Sequence, residues 1–351
     1  MSIDLGYWTP VYGGFLRNVG DEEGMAATWE SIRDVSTTAD RLGFHTTLVP
    51  ELYLNDRKGI DAPSLEAWSL SAAILAVTDH LRVMTAVRPG FHLPAVLAKT
   101  VSTLDSIAPG RVALNVVAAW WAEEARQFGG AFTTHDERYV QAQEFVEILR
   151  GLWTQTPFSF LGDHYELNGT IIEPKPSSPP VVFAGGESDA GREAIARFAD
   201  AYVMHGGTLE EVRANVSDMN ERAERLHGRP IAEFGMPAYV IVRDTEAEAQ
   251  RELERITTVD PNSPGYASFE EFQRNSKLSL ELTRREYSVG TRGLRPELVG
   301  TAEQVAEKIH AYADAGITLL LIQSSPLREE LERIAAELFP LVPQRALAPL
   351  G

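Results

Sequence analysis

The strongest constraint on this chain is an alternation. Short apolar runs of strand length are separated by stretches whose apolar residues recur every three or four positions, and the unit repeats eight times. The runs are Ile3–Trp8, Phe44–Val49, Leu81–Val87, Arg111–Val117, Val181–Ala184, Ala201–Met204, Phe234–Val242 and Thr318–Gln323. Between the first two, Trp29, Ile32, Val35 and Ala39 share one face of a helix expected over 26–42, with Gly43 as its stop. Further helices are expected over 64–77, 94–107, 135–153, 190–199 and 209–226, from Thr245 onward, and over 301–315 and 327–338. Ser64 is the expected N-cap of the second, and Thr245 with Glu248 reads as a capping box. Such alternation implies a parallel sheet covered by helices, and eight units close best into an α/β fold of the (β/α)8 barrel type, a TIM barrel.

Two insertion segments break the rhythm. Residues 155–180 read as a hairpin excursion, because Phe158–Leu167 alternates around Gly162-Asp163 and Pro174, Pro176, Pro179 and Pro180 follow in extended chain. Residues 261–297 are polar, rich in Glu, Arg and Ser, and carry Gly290, Gly293 and Pro296, which reads as a mobile lid. The expectation is a single barrel domain over residues 1–351.

Charge and composition narrow the function. With 32 basic against 50 acidic residues the net charge is -18, so nucleic acid and anionic membranes are disfavoured as partners. An anionic ligand would need a local pocket of Arg and backbone amides. The absence of cysteine excludes disulfides, thiolate nucleophiles and Cys-ligated metals. No secretory leader is evident at the N-terminus, and no apolar run reaches the ~18 residues of a membrane helix, so the expected compartment is the cytoplasm.

Barrel chemistry sits at strand ends, and several residues are candidates there. Val181 to Asp189 joins a buried strand, Gly185-Gly186 and a helix-capping Ser188. That is either an anion site built on a helix N-terminus or a tight turn with a capping serine. It matches neither a Walker loop nor a dinucleotide fingerprint. Asn115 ends a strand, where its carboxamide could meet the edge of a planar heterocycle or simply be satisfied within the protein. Arg138 lies one turn into a helix and opposes the helix dipole unless an anion is nearby. Arg88, before Pro89, faces the rim or enters a buried salt bridge. The eight histidines lack ligand spacing, and no Gly-x-Ser-x-Gly elbow occurs, so metal and serine-hydrolase readings have no support.

Taken together, Asn115-Val116-Val117, Glu124, His135-Asp136-Glu137-Arg138-Tyr139, Gly185-Gly186-Glu187-Ser188-Asp189 and Gly300-Thr301-Ala302-Glu303-Gln304-Val305-Ala306 resemble the bacterial luciferase-like flavin monooxygenases. The similarity is strongest to their alkanesulfonate and dimethyl sulfone branch and runs from Tyr7-Trp8-Thr9-Pro10 to Leu338-Phe339-Pro340. The resemblance implies a barrel that binds reduced FMN delivered by a separate NAD(P)H-dependent flavin reductase. The flavin reacts with O2 to a peroxy species that oxygenates a small organosulfur compound, a sulfone or alkanesulfonate. It also implies a homodimer or homotetramer.

Carried over by position, Pro50, Glu51, Asn115, Glu124, Arg138, Tyr139, Gly186 and Ser188 are the expected cofactor contacts, Ser188 at the phosphate. Tyr12, Ser64, Tyr239 and the lid residue Arg292 are the expected catalytic groups, with Arg88 toward substrate and Trp120 and Trp121 as wall residues. The alkanesulfonate enzymes carry His at Tyr12, Cys at Ser64, and Arg and His at Pro237 and Tyr239. Loss of that Arg weakens the case for a sulfonate and makes a neutral sulfone at least as well supported. The alternatives are a deazaflavin-dependent dehydrogenase of the same fold and a non-catalytic flavin-binding relative.

Overall fold

The computed structural model describes residues 2–17, 25–118, 121–130, 133–260, 262–266, 269, 283–290 and 292–344. The chain opens with β1 (Asp4–Trp8), α1 (Trp29–Leu42), β2 (Thr46–Val49), α2 (Ala67–Val77), β3 (Arg82–Val87), α3 (Pro94–Ile107) and β4 (Val112–Val117). It continues with α4 (Ala122–Phe128), α5 (His135–Thr154), β5 (Phe158–Leu161), β6 (Glu166–Thr170), β7 (Val181–Gly185), α6 (Asp189–Phe198), β8 (Ala201–Val203) and α7 (Leu209–His227). Then follow β9 (Glu233–Tyr239), β10 (Ile241–Val242), α8 (Glu246–Thr257), β11 (Val299–Gly300), a helix at Ala302–Asp314, β12 (Leu319–Gln323) and a helix at Leu327–Glu337. Eight parallel strands close in the order β1-β2-β3-β4-β7-β8-β9-β12.

Period-two alternation then decides which side chains enter the barrel. Leu48, Met84, Ala113, Phe183, Ala201, Val203, Leu319 and Leu321 pack into one buried plug. The residues two further along the same strands, Pro50, Ala86, Asn115, Gly185 and again Val203, line a cavity above it. Outward positions such as Val112, Leu114 and Val116 belong to the larger core beneath the helices. One strand face is both plug and site.

Local chemistry sets the helix boundaries, and one differs from expectation. The carboxylate of Glu66 accepts from the amides of Trp68 and Ser69, both at 2.7 Å, so α2 starts at Ala67. Ser64 is not its cap: its hydroxyl donates to the Leu52 carbonyl at 3.1 Å. An ionised cap satisfies two first-turn amides and complements the dipole, which a single hydroxyl does less well.

The expected seventh strand is two pieces. The Tyr239 and Ile241 amides bond the Gly293 and Leu298 carbonyls at 2.8 and 2.9 Å, which draws β10 off the barrel to pair with β11. The segment after β4 holds α4, seven residues long and too short for its periodicity to stand out in the sequence. β5 and β6 form an antiparallel pair between α5 and β7. Of the expected lid, residues 261, 267–268, 270–282 and 291 lie outside the described residues, as does Trp120. Among the described residues no helix is long and apolar enough to cross a membrane.

The barrel floor is closed by a charge pair. Arg82 on β3 donates to both oxygens of Glu233 on β9 at 3.1 and 3.0 Å and lies 5.3 Å from the centre of the Phe183 ring. Glu233→Ala would leave a mostly buried guanidinium facing the plug. The expected loss is about 2–3 kcal/mol in chemical denaturation, largely recovered when Arg82→Met is added. Wild-type stability for the single variant would remove the pair from any role in holding the floor.

Candidate active site

The cavity has a volume of about 260 Å³ and opens at the carboxyl ends of the strands. Trp8, Leu48, Val117, Val203 and Met204 give it apolar walls. Into this space the structure brings Tyr12, Pro50, Glu51, Arg88, Asn115, Arg138, Tyr139, Gly186 and Ser188 from the sequence-derived set. Asn115 is 6% exposed, and its Oδ1 has no hydrogen-bond partner among the described residues; the same holds for Trp8 Nε1. One wall thus presents a vacant acceptor and another a vacant donor. Buried polar atoms are rarely left so unless a ligand completes them.

One end of the cavity is built for an anion. α5 and α6 begin side by side there, with His135 Nε2 3.4 Å from Ser188 Oγ. Ser188 caps α6 by accepting from the Gly191 amide at 3.1 Å. Tyr139 is buried beside it, and burial pushes its phenol up from the ordinary value while the Ser188 hydroxyl opposes the shift. Gly186 is held by its carbonyl, which accepts from the Tyr202 hydroxyl at 2.7 Å. A Cβ on Gly186 would strike the Tyr139 hydroxyl, so a larger residue here would have to displace that side chain. Arg138 donates to the Thr133 carbonyl at 2.8 Å and presents its charge at the same end, where burial lowers its pKa and Tyr139 partly offsets the effect. Two helix N-termini and a guanidinium thus meet.

The wall after β2 and β3 is a chain of charges. Glu51 accepts from the Arg88 amide at 2.8 Å, from Arg88 Nε at 3.3 Å and from Trp68 Nε1 at 3.1 Å, and its other contact is His92 at 2.5 Å. Burial alone would raise the Glu51 carboxyl, but His92 and Arg88 outweigh it and hold it low. Arg88 also donates to Glu124, which accepts from the amides of Tyr53 and Leu54 at 2.6 and 3.1 Å. Glu124 is fully buried and does not line the cavity: it ties α4 to the loop after β2. Arg88 lines the cavity with much of its charge already engaged.

Ser64, Tyr239 and Arg292 do not line the cavity either. Tyr239 ends β9 opposite Gln323, buried at 1% exposure. Arg292, at φ 55, sits in the sparsely populated left-handed region and ion-pairs with Glu187, which also meets His205 Nδ1 at 3.1 Å. Glu187 and His205 both line the cavity, so Arg292 reaches it through them. Among groups not anticipated from sequence, Trp8 lies one side chain from the recognised Thr9-Pro10, whereas Arg57 sits in a loop with no periodic signal.

The family model for luciferase-like monooxygenases matches residues 11–319. This chain belongs to the luciferase-like monooxygenase family. It is 34% identical to an FMNH(2)-dependent dimethylsulfone monooxygenase of Pseudomonas putida, over 97% of this chain and 95% of that one. The protein of the same description in Pseudomonas fluorescens (strain Pf0-1) is 32% identical, over 97% and 94%. Among solved structures, a long-chain alkane monooxygenase superposes with a TM-score of 0.83 at 19% identity, covering all of this chain and 93% of that one.

The Glu187 cluster makes a pH prediction. Burial alone would raise the Glu187 carboxyl, but His205 and Arg292 hold it well below the ordinary 4.5. A carboxylate depressed in the folded state stabilises fully above its unfolded value, and the gain is lost as pH falls through the folded value. Glu187→Gln should therefore cost about 2–3 kcal/mol at neutral pH. The deficit should shrink below about pH 4. Denaturation midpoints followed across pH test this, and a pH-independent deficit would contradict it.

Proposed function

We propose that this chain is the oxygenase of a two-component system, a monooxygenase that uses reduced FMN and O2 to oxygenate a small organosulfur compound. The observation that carries the reading is one cavity pairing the anion end at Ser188, Gly186 and Arg138 with the vacant Asn115 acceptor. The full-length similarity to relatives named for FMNH(2) and dimethylsulfone supports it.

Ser188, the first amides of α6 and Arg138 would hold the FMN phosphate, and Gly186 leaves the room a side chain would take. Asn115 Oδ1 would accept from a ring-edge N–H, and Pro50 and Glu51 would form the neighbouring wall. When bound, reduced FMN supplies the electrons that activate O2 for transfer of one oxygen atom to the substrate. Trp8, Leu48, Val117, Val203 and Met204 exclude the water that would divert that chemistry. The charges of Glu51, Arg88 and Glu124 hold the loops that frame the cavity, a positioning role. Oxidised flavin must leave and be reduced elsewhere, so a separate flavin reductase is the implied partner.

Anaerobic titration with reduced FMN, followed by exposure to O2 with candidate sulfur compounds, tests the reading. Saturable binding and a product carrying label from 18O2 are expected. Tight uptake of a deazaflavin with none of reduced FMN would replace the reading with hydride transfer. Ser188→Ala should weaken FMN binding by about 1–2 kcal/mol, one hydrogen bond to a charged group. An unchanged dissociation constant would place the phosphate elsewhere. Asn115→Ala should lower both turnover and flavin affinity; unaltered kinetics would move the ring away from β4.

A further inference from the structure

Across the barrel from the anion end, the same cavity has a second cationic corner. β1 and β7 lie four strands apart in either direction around the closed sheet, so loops after β1 and β2 face the loop that bears Ser188. Arg17, Asp56 and Arg57 line the cavity on that side with Tyr12 and Tyr287. All three charged residues are more than nine-tenths buried. Arg17 donates to Asp56 Oδ2 at 2.9 Å and to the Gly265 carbonyl at 3.0 Å, and its guanidinium lies 3.8 Å from the centre of the Tyr287 ring. Arg57 Nε approaches Asp56 Oδ1 at 3.3 Å without hydrogen-bond geometry, and its Nη1 has no acceptor among the described residues.

Two guanidinium groups therefore share one carboxylate, which leaves an excess positive charge in a desolvated corner. A buried charge of that kind is costly until an anion completes it. The arrangement is built in detail. Asn55 Oδ1 accepts from the amides of Arg57 and Lys58 at 2.9 and 2.8 Å, and its Nδ2 donates to the Tyr12 carbonyl at 2.9 Å. The Arg57 guanidinium lies 5.2 Å from the centre of the Tyr12 ring. Its other side rests on Gly290, where any Cβ would occupy the space of the guanidinium nitrogens.

We propose that Arg57, braced by Asp56, binds the oxyanion head of the substrate, so that this enzyme takes a small organic anion such as an alkanesulfonate or alkanesulfinate. The proposal rests on the reading that FMN fills the opposite end. The substrate class it names is charged, whereas dimethylsulfone, for which two relatives are named, is neutral. It also supplies the fixed cation that Pro237 on β9 does not.

Calorimetry on the protein saturated with FMN, which occupies the phosphate end, tests this with methanesulfonate, methanesulfinate and dimethyl sulfone as probes. The anions should bind at least about tenfold more tightly than the neutral sulfone, as expected for a charge-assisted site. Arg57→Met should remove that preference without changing FMN affinity measured by flavin fluorescence, and Arg57→Lys should restore part of it. Dimethyl sulfone binding as well as the anions would overturn the proposal, as would an Arg57→Met protein that keeps the preference. The wild-type probe series decides the matter even if the variants fail to fold. Repeating the series without flavin scores the two ends separately: failure to bind FMN counts against the function above, and failure of anion preference counts against Arg57.

Discussion

The cavity depends on one guanidinium held by two carboxylates. Arg88 leaves the end of β3 and is claimed by Glu51 after β2 and by Glu124 in α4, so three segments distant in sequence are fixed to one point. The carboxylates also take three backbone amides, those of Tyr53, Leu54 and Arg88 itself. Buried charges of this sort hold only when almost every oxygen is satisfied, and breaking one partner strands the others. The cluster thus sets the shape of the wall above the barrel plug.

Charge inside the molecule runs against charge outside. The chain carries a net -18, yet its cavity has Arg138 and two helix N-termini at one end and the Arg17–Asp56–Arg57 group at the other. An apolar-walled cleft with concentrated positive charge focuses field toward itself within an acidic surface. That combination suits a ligand with one anionic terminus and an acceptor-seeking ring, together with a second, smaller anion. Glu51, Asp56 and Glu187 keep the lining from being uniformly positive, Glu187 by pairing with Arg292 at the edge.

Some of the site was legible in the chain, and the reasons are local. Gly185-Gly186-Glu187-Ser188-Asp189 states its geometry in sequence: glycines where backbone must approach, a hydroxyl at a helix start. Asn115 could be placed because strand alternation says which face it shares with Ala113. Arg138 could be suspected because a cation in a first helical turn has a local cost. Glu124 was harder, since its acidic, helix-like surroundings look the same whether the side chain meets solvent, a ligand or a loop. Ser64 misled because two plausible caps, Ser64 and Glu66, stand two residues apart.

By itself the sequence determined the eightfold alternation, hence the closed barrel, and the family. The barrel follows from short-range periodicity, which the chain carries residue by residue, and the family from the resemblance of its motifs. Only the tertiary structure decided that Glu124 supports the wall behind the cavity, that Arg292 pairs with Glu187 instead of lining the cavity, and that Arg57 comes to face the cavity beside Tyr12. Each of those depends on partners from different loops. A side chain's charge is written in the sequence, but how far neighbours neutralise it is settled only when those loops meet.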